Sequence, residues 1–269
     1  MKKINYIEAN RLAWNEVAPI HAEQNQQELI QSFQKPGYSC LDAIETQPLI
    51  EIDVTHKAVA QLCCNNGREL LSIKNMGADY CVGFDISDNF IAQAQELAAT
   101  SHIDCEFLQT DIYNIPISYN RKFDLVYISI GAICWMPDLT GFFAVIARLL
   151  KPAGYVFIYD MHPILNMFLE DDQQDPPQLA NSYFNTEANK DENGLDYYSL
   201  KKYSAAPAYW FPHKMSDVIN TCIQHDLNIK KFIEYPHDIS GIFGHFEKIN
   251  NKLPLSYILT AQVGQGQET

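Results

Sequence analysis

The sequence predicts an α/β protein, an open and mostly parallel sheet with helices on both faces. Three observations predict it. Apolar runs of strand length alternate with helical stripes between residues 57 and 160. The runs are nearly continuously apolar, as strands covered on both faces are. Two successive runs are followed by an acid, Asp85 and Asp111, where the crevice of such a sheet opens.

The elements follow in order. Residues 1–50 read as mostly helical and glutamine-rich, with Pro19 and Pro36-Gly37 as breaks, and predict a lid rather than a core. Lys57 to Leu62, Tyr80 to Phe84, Ile103 to Leu108, Phe123 to Ile130 and Tyr155 to Asp160 are five β-compatible runs. Behind Ser87, a predicted N-cap with Asp88 in the first turn, Phe90, Ile91, Ala94, Leu97 and Ala98 share one helical face. Leu139, Phe142, Phe143, Ile146, Leu149 and Leu150 do the same, and Lys151-Pro152-Ala153-Gly154 ends that helix with a cation, a helix-stopper and a turn glycine. Residues 161–212 break the rhythm with Pro176-Pro177, Glu192-Asn193-Gly194 and aromatic clusters, and predict an inserted cover. The rhythm resumes over 213–263: Val218, Ile219, Cys222 and Ile223 stripe a helix behind Ser216, and Ile229 to Glu234 and Leu255 to Val263 are strands. The tail Gly264 to Thr269 is expected to fray. All 269 residues are read as one domain.

Composition narrows the partners. Nineteen Lys and Arg against 33 Asp and Glu give a net charge of −14, a field that repels phosphate backbones and anionic lipid headgroups, so neither nucleic acid nor membrane is expected. No stretch approaches the ~20 apolar residues of a membrane span. Met1-Lys2-Lys3 leads into Asn5, Glu8 and Arg11 rather than an apolar signal core, and a cytoplasmic location is expected. The seven cysteines form no C-x-x-C pair, so neither a disulfide framework nor a metal site is expected and most read as buried fillers.

The first strand-to-helix turn reads Leu62-Cys63-Cys64-Asn65-Asn66-Gly67. Only Gly67 is a glycine. Asn65 is the next best residue for a left-handed backbone, but its side chain would crowd a pyrophosphate, which disfavours a dinucleotide and a nicotinamide-dependent oxidoreductase with it. A ligand whose carboxylate tail sits against the amides at Gly67 and Arg68 is compatible. Asp85 follows Gly67 by 18 residues, close to the ~20-residue offset of an acid that grips ribose hydroxyls. Its other reading is a helix-capping or loop carboxylate. Asp111 can accept from an adenine amino group while Ile112 packs on the ring.

On these residues the chain resembles the S-adenosylmethionine-dependent methyltransferases of the Rossmann-like class. Gly83-Phe84-Asp85-Ile86-Ser87 and Thr110-Asp111-Ile112 look like the family's second and third motifs, and Phe123-Asp124-Leu125-Val126 and Leu149-Leu150-Lys151-Pro152-Ala153-Gly154 like its fourth-strand and fifth-strand entries. The first motif, a strand acid and a Gly-x-Gly-x-Gly turn, corresponds to Gln61, Cys63, Asn65 and Gly67, so three of its four positions are altered. Cys134-Trp135-Met136-Pro137-Asp138-Leu139, Met161-His162-Pro163 and Ala13-Trp14-Asn15 to His21 look like a bacterial subgroup whose first motif is likewise glycine-poor.

The resemblance implies a seven-stranded sheet of order 3-2-1-4-5-7-6 with the seventh strand antiparallel, residues 57–160 as cofactor-binding core, S-adenosylmethionine as cofactor and S-adenosylhomocysteine as product. It implies cofactor contacts from Leu62, Cys63, Cys64, Asn65, Asn66, Gly67, Asp85, Ile86, Ser87, Asp111, Ile112, Ser129, Ile130 and Gly131. Methyl transfer from a sulfonium needs positioning and water exclusion, and a general base only for a protonated nucleophile. His162 and His213 are the candidate bases; the alternative for each is a hydrogen bond to a local carbonyl. Trp135, Met136, Tyr209 and Trp210 are candidate walls of the acceptor pocket, or plain core in the case of Trp135. Trp14 and His21 either close over the cofactor or pin the lid. From Glu170 to Asp196 eight acids (Glu170, Asp171, Asp172, Asp175, Glu187, Asp191, Glu192, Asp196) face one base, Lys190, a segment suited to an amine or to solvent. The expected function is methyl transfer to a small molecule. The rival is a module that keeps the adenosine pocket and has lost the transfer chemistry.

Overall fold

The computed structural model describes residues 4–169, 177–199, 203–248 and 253–264. Helix α1 (Tyr6–Phe33) and helix α2 (Ala43–Ile52) precede strand β1 (Ala58–Leu62). Then come α3 (Arg68–Asn75), β2 (Tyr80–Asp85), α4 (Asp88–Ser101), β3 (Glu106–Gln109), β4 (Phe123–Ile128), α5 (Leu139–Leu149) and β5 (Leu150–Met161). A short hairpin of β6 (Asn189–Asp191) and β7 (Ala208–Trp210) leads to α6 (Met215–Gln224), β8 (Leu227–Tyr235) and β9 (Ser256–Val263). The large sheet runs β3-β2-β1-β4-β5-β9-β8. Strands β1 to β5 pair in parallel and β9 lies antiparallel between β5 and β8, the order and polarity expected above.

Alternate residues of each strand serve opposite faces, and this is why the runs are continuously apolar. On one face Val82, Phe84, Val126, Ile128, Val156 and Ile158 pack against Phe142, Phe143 and Ile146 of α5 and Val218 of α6. On the other, Val59, Cys81, Leu125, Tyr127, Phe157 and Tyr159 pack against Leu70 and Leu71 of α3 and Ile91 and Ala94 of α4. Phe142 and Phe143 are fully buried, each contributing on the order of 2–3 kcal/mol to stability. No helix among the described residues is long and apolar enough to cross a membrane.

Several local expectations are corrected. Pro19 does not break its helix: α1 runs through it, because the Asn15 carbonyl that Pro19 cannot bond accepts from Asn89 Nδ2 at 2.8 Å. Residues 1–50 are not all lid, since Leu29, Phe33 and Leu49 belong to the second core. Lys151 to Gly154 begin β5 rather than form a separate turn, and the left-handed residue there is Ala153 (φ +60°) instead of Gly154. The last helix is entered from Lys214, whose N–H donates to Asp217 Oδ2 at 3.0 Å, and Ser216 lies inside it. Three of the seven cysteines are buried and four are partly exposed. Of the acidic segment, Glu170, Asp171, Asp172 and Asp175 lie outside the described residues, as do Pro176 and the tail after Gly264.

Candidate functional site

The turn from β1 into α3 keeps a glycine-rich shape without the glycines. Cys63 (φ +56°), Asn65 (φ +50°) and Gly67 (φ +76°) all adopt the left-handed conformation, at the alternate positions of the altered motif. The turn is held by its own groups: Cys64 N–H donates to the Phe84 carbonyl (3.0 Å), Gly67 N–H to the Cys64 carbonyl (2.8 Å) and Asn66 N–H to Asn65 Oδ1 (2.7 Å). The Gly67 amide is therefore spent inside the turn and is not open to a ligand carboxylate. Glycine at 67 is also a packing requirement, because an added Cβ would lie 2.5 Å from the Phe107 ring.

Asp85 ends β2 and is buried. Its Oδ2 accepts from Asn65 N–H at 2.8 Å and its Oδ1 from Ser87 N–H at 2.9 Å, so the carboxylate clamps the turn. Burial pushes its pKa above the ordinary aspartate value, against the lowering effect of these amides. Ser87 caps α4, with its hydroxyl donating to Asn15 Oδ1 of α1 at 2.6 Å. Asp111 stands beyond β3 and accepts from Tyr113 N–H (3.0 Å) and Asn114 Nδ2 (2.8 Å). Ile112 is buried beside it. Burial first, and then the charges of Asp85, Cys134, Asp160 and Asp111, push the Cys63 thiol pKa up, so these groups lie within electrostatic range of the turn.

Gln61, where the motif has an acid, is 1% exposed on β1. Its Nε2 donates to Ser129 Oγ at 3.3 Å, and its Oε1 is buried with no hydrogen-bond partner among the described residues. A buried carbonyl oxygen without a donor is costly and can be satisfied by a donor that a ligand supplies. An ammonium group fits that oxygen, so the residues present are compatible with an amino-acid-bearing cofactor.

An aromatic roof lies over the strand ends. Trp14 of α1 meets Trp135 (5.2 Å between ring centroids), Phe90 (6.0 Å) and Tyr197 (6.5 Å) edge to face. His21 meets Tyr197 at 4.3 Å and its Nε2–H donates to the Leu195 carbonyl at 3.1 Å; burial lowers its pKa to about 4 and keeps the ring neutral.

Beside this roof a cleft opens at the ends of β4 and β5, lined by Cys134, Asp160, Asn166, Phe211, His213 and Tyr257 among others. Gly131 and His162 also border it. Asp160 accepts from the N–H groups of Gly131 (2.6 Å) and Met161 (2.8 Å), with a longer bond from Ile133 (3.4 Å), and burial pushes its pKa up to about 6. His213 donates through Nε2 to the Met136 carbonyl at 2.8 Å, which leaves Nδ1 as an acceptor with no partner among the described residues. His162 is engaged at both nitrogens, accepting from Ile164 N–H at Nδ1 (3.1 Å) and meeting Glu234 Oε1 from Nε2 (3.0 Å).

The expected wall residues sit next to the cleft. Trp135 belongs to the roof, Met136 supplies its carbonyl to His213, and Tyr209 is pinned to Asn10 of α1 through both its N–H (2.7 Å) and its carbonyl (2.8 Å). Trp210 lies in β7 beside it, and the neighbours Cys134 and Phe211 line the cleft instead. Ser129 meets Gln61, and Ile130 is 40% exposed at the rim. The sequence reading missed Asp160, Asn166 and Phe211. For Asp160 the signal was present, an acid closing a strand run as at Asp85.

A family model described as a methyltransferase domain matches residues 59–154. Cycloartenol-C-24-methyltransferase 1 of Oryza sativa subsp. japonica is 30% identical over 104 residues, 38% of this chain and 30% of that protein, so the alignment spans under a third of this curated relative. The crystal structure of an S-adenosylmethionine dependent methyltransferase from Mesorhizobium loti superposes with a TM-score of 0.61 at 18% identity, covering 82% of this chain and 98% of that one. The cyclase SpnF superposes with a TM-score of 0.58 at 13% identity over 97% of each chain. The strand order and these superpositions give the chain the class I Rossmann-like fold, and within it residues 59–154 match a methyltransferase domain.

Proposed function

We propose that this chain transfers a methyl group from S-adenosylmethionine to a small-molecule acceptor. The observation that carries the reading is the turn after β1. Its left-handed residues at 63, 65 and 67 preserve the backbone path, and the buried Gln61 Oε1 beneath it lacks only a donor. Asp85 would take the ribose hydroxyls, Asp111 the adenine amino group and Ile112 the ring face, with Gln61 Oε1 receiving the ammonium. The glycine-poor first motif supports placing the chain in the bacterial subgroup that it resembles. When bound, the cofactor supplies a methyl group on an electrophilic sulfonium.

The chain's own residues then orient and dry the site. Trp14, Trp135 and Tyr197 exclude water above the strand ends. His213, which lines the cleft, is the general base, since the Met136 carbonyl fixes the proton on Nε2 and leaves Nδ1 as the acceptor. His162 has both nitrogens committed and serves as a positioning residue.

Because one neighbour on this fold is a cyclase, the sheet by itself does not dictate transfer. Two measurements test the reading. Calorimetric titration with S-adenosylhomocysteine should show one site per chain, weakened roughly tenfold or more in Gln61→Leu. Methyl-labelled cofactor incubated with a metabolite extract should label a small molecule. Absence of heat removes the reading, whereas binding without label transfer favours the binding module.

A further inference from the structure

The cleft between β4, β5 and α6 carries information about charge as well as shape. Asp160 forms its floor, 4% exposed, with three of its lone pairs directed to backbone amides. The polar groups left over include the His213 Nδ1 lone pair, the Asn166 carboxamide and the Tyr257 hydroxyl. Phe211 and Tyr257 supply aromatic surface. Among the described lining residues there is no Lys or Arg. The nearest cation in sequence, Lys214, is held on Asp217 Oδ1 at 3.2 Å, and the charge behind His162 is another carboxylate, Glu234.

This arrangement separates acceptor chemistries. A carboxylate or phosphate entering the cleft would approach Asp160 with no counter-ion in the wall. A phenol must shed its proton as the oxygen attacks, and the oxyanion that develops is opposed by the same carboxylate. A nitrogen nucleophile builds positive charge as it attacks, and that charge is stabilised by Asp160 and by the aromatic faces of Phe211 and Tyr257.

We propose that the acceptor is a compact amine on an aromatic or apolar body, held with its nitrogen between Asp160 and His213, and that the cleft rejects anionic acceptors. This rests on the methyl-transfer reading above. In the step, the lone pair of the neutral nitrogen forms the new N–C bond as the methyl C–S bond breaks, and that electron pair stays on sulfur as a neutral thioether. An amine that enters as its ammonium gives one proton to His213 Nδ1 and on to water before the attack, and the methylated product leaves as an ammonium. Asp160 keeps its charge throughout, and its pKa of about 6 leaves it mostly ionised at neutral pH.

The test uses the full chain saturated with S-adenosylhomocysteine and four probes of similar body: benzylamine, p-cresol, phenylacetate and phenyl phosphate. Heat on adding S-adenosylhomocysteine alone reports first on the methyl-transfer reading, so its failure is seen before any probe is added. On the saturated protein, benzylamine should bind at least tenfold more tightly than phenylacetate or phenyl phosphate. Asp160→Asn should remove most of that preference. With labelled S-adenosylmethionine, label should appear on benzylamine nitrogen in excess of the p-cresol oxygen. The proposal is overturned if either anion binds as tightly as benzylamine, if no amine binds, or if the phenol oxygen is the better acceptor. The probe comparison on the unsubstituted protein decides the matter even where Asp160→Asn fails to fold.

Discussion

At the scale of single residues, the turn after β1 divides its left-handed positions into one that must be glycine and others that need not be. Gly67 is fixed by two effects at once, φ of +76° and the Phe107 ring 2.5 Å from where a Cβ would stand. Gly67→Ala should cost about 2–4 kcal/mol in urea denaturation and abolish S-adenosylhomocysteine binding. Cys63 also has positive φ, at +56°, yet it is not tied to glycine by any such clash. Cys63→Gly should fold and bind with stability within about 1 kcal/mol of the parent, relief of the left-handed strain offsetting the added freedom of the unfolded chain. If instead Cys63→Gly loses binding, the thiol itself contacts the ligand. These contrasts show what could be read from the sequence. The positions of Asp85 and Asp111 beyond the strand ends were legible from the apolar runs they follow, while their hydrogen bonds to Asn65, Ser87 and Tyr113 N–H match the capping or loop alternative as well. Asp160 obeys the same rule and should have been found with them. The orphaned Gln61 oxygen was not legible, because it depends on Ser129, 68 residues away, engaging Gln61 through Nε2 and leaving Oε1 without a donor among the described residues. The availability of His213 Nδ1 depends in the same way on the Met136 carbonyl.

At the scale of elements, the sheet was legible nearly strand by strand, since burial on both faces writes an uninterrupted apolar run into the chain. The helical N-terminus was less so. Proline is a helix-breaker by local rules, and what overrides the rule at Pro19 is Asn89, brought over Asn15 by the packing of α1 on α4. A double-mutant cycle makes this quantitative. Asn89→Ala should destabilise the protein by about 1–2 kcal/mol, because the Asn15 carbonyl loses its donor. In a Pro19→Ala background the same change should cost clearly less, since residue 19 then supplies the missing backbone N–H. Equal costs in the two backgrounds, measured by urea denaturation, would remove this account of the unbroken helix.

At the scale of the whole molecule, α2 is joined to the sheet by two tyrosines from neighbouring strands, and this junction holds a buried titratable carboxyl group, Glu45. Tyr127 of β4 donates to Glu45 Oε2 at 2.5 Å and Tyr159 of β5 to Asp42 Oδ2 at 2.9 Å, while Asp42 and Glu45 form the capping box of α2. Burial raises the Glu45 pKa from 4.5 to about 7, the Tyr127 hydroxyl opposing the rise. An acid whose folded pKa lies above its unfolded value contributes stability below about pH 4.5 that is lost as pH rises through about 7. Asp160 acts in the same sense up to about 6, and the buried, neutral His21 in the opposite sense, contributing stability above about 6.5 that is lost as pH falls through about 4. The net pH profile therefore mixes signs, but Glu45→Gln isolates one term. The amide keeps the shape and cannot ionise, so at pH 5 it should match the protonated parent closely. Between pH 5 and pH 8 its advantage over the parent should grow by about 2–3 kcal/mol and then level off. Urea midpoints at pH 5, 6, 7 and 8 check this. A difference between the two proteins that stays constant with pH would mean that Glu45 is already ionised at pH 5, with the Tyr127 hydroxyl and the Asp42 amide outweighing its burial.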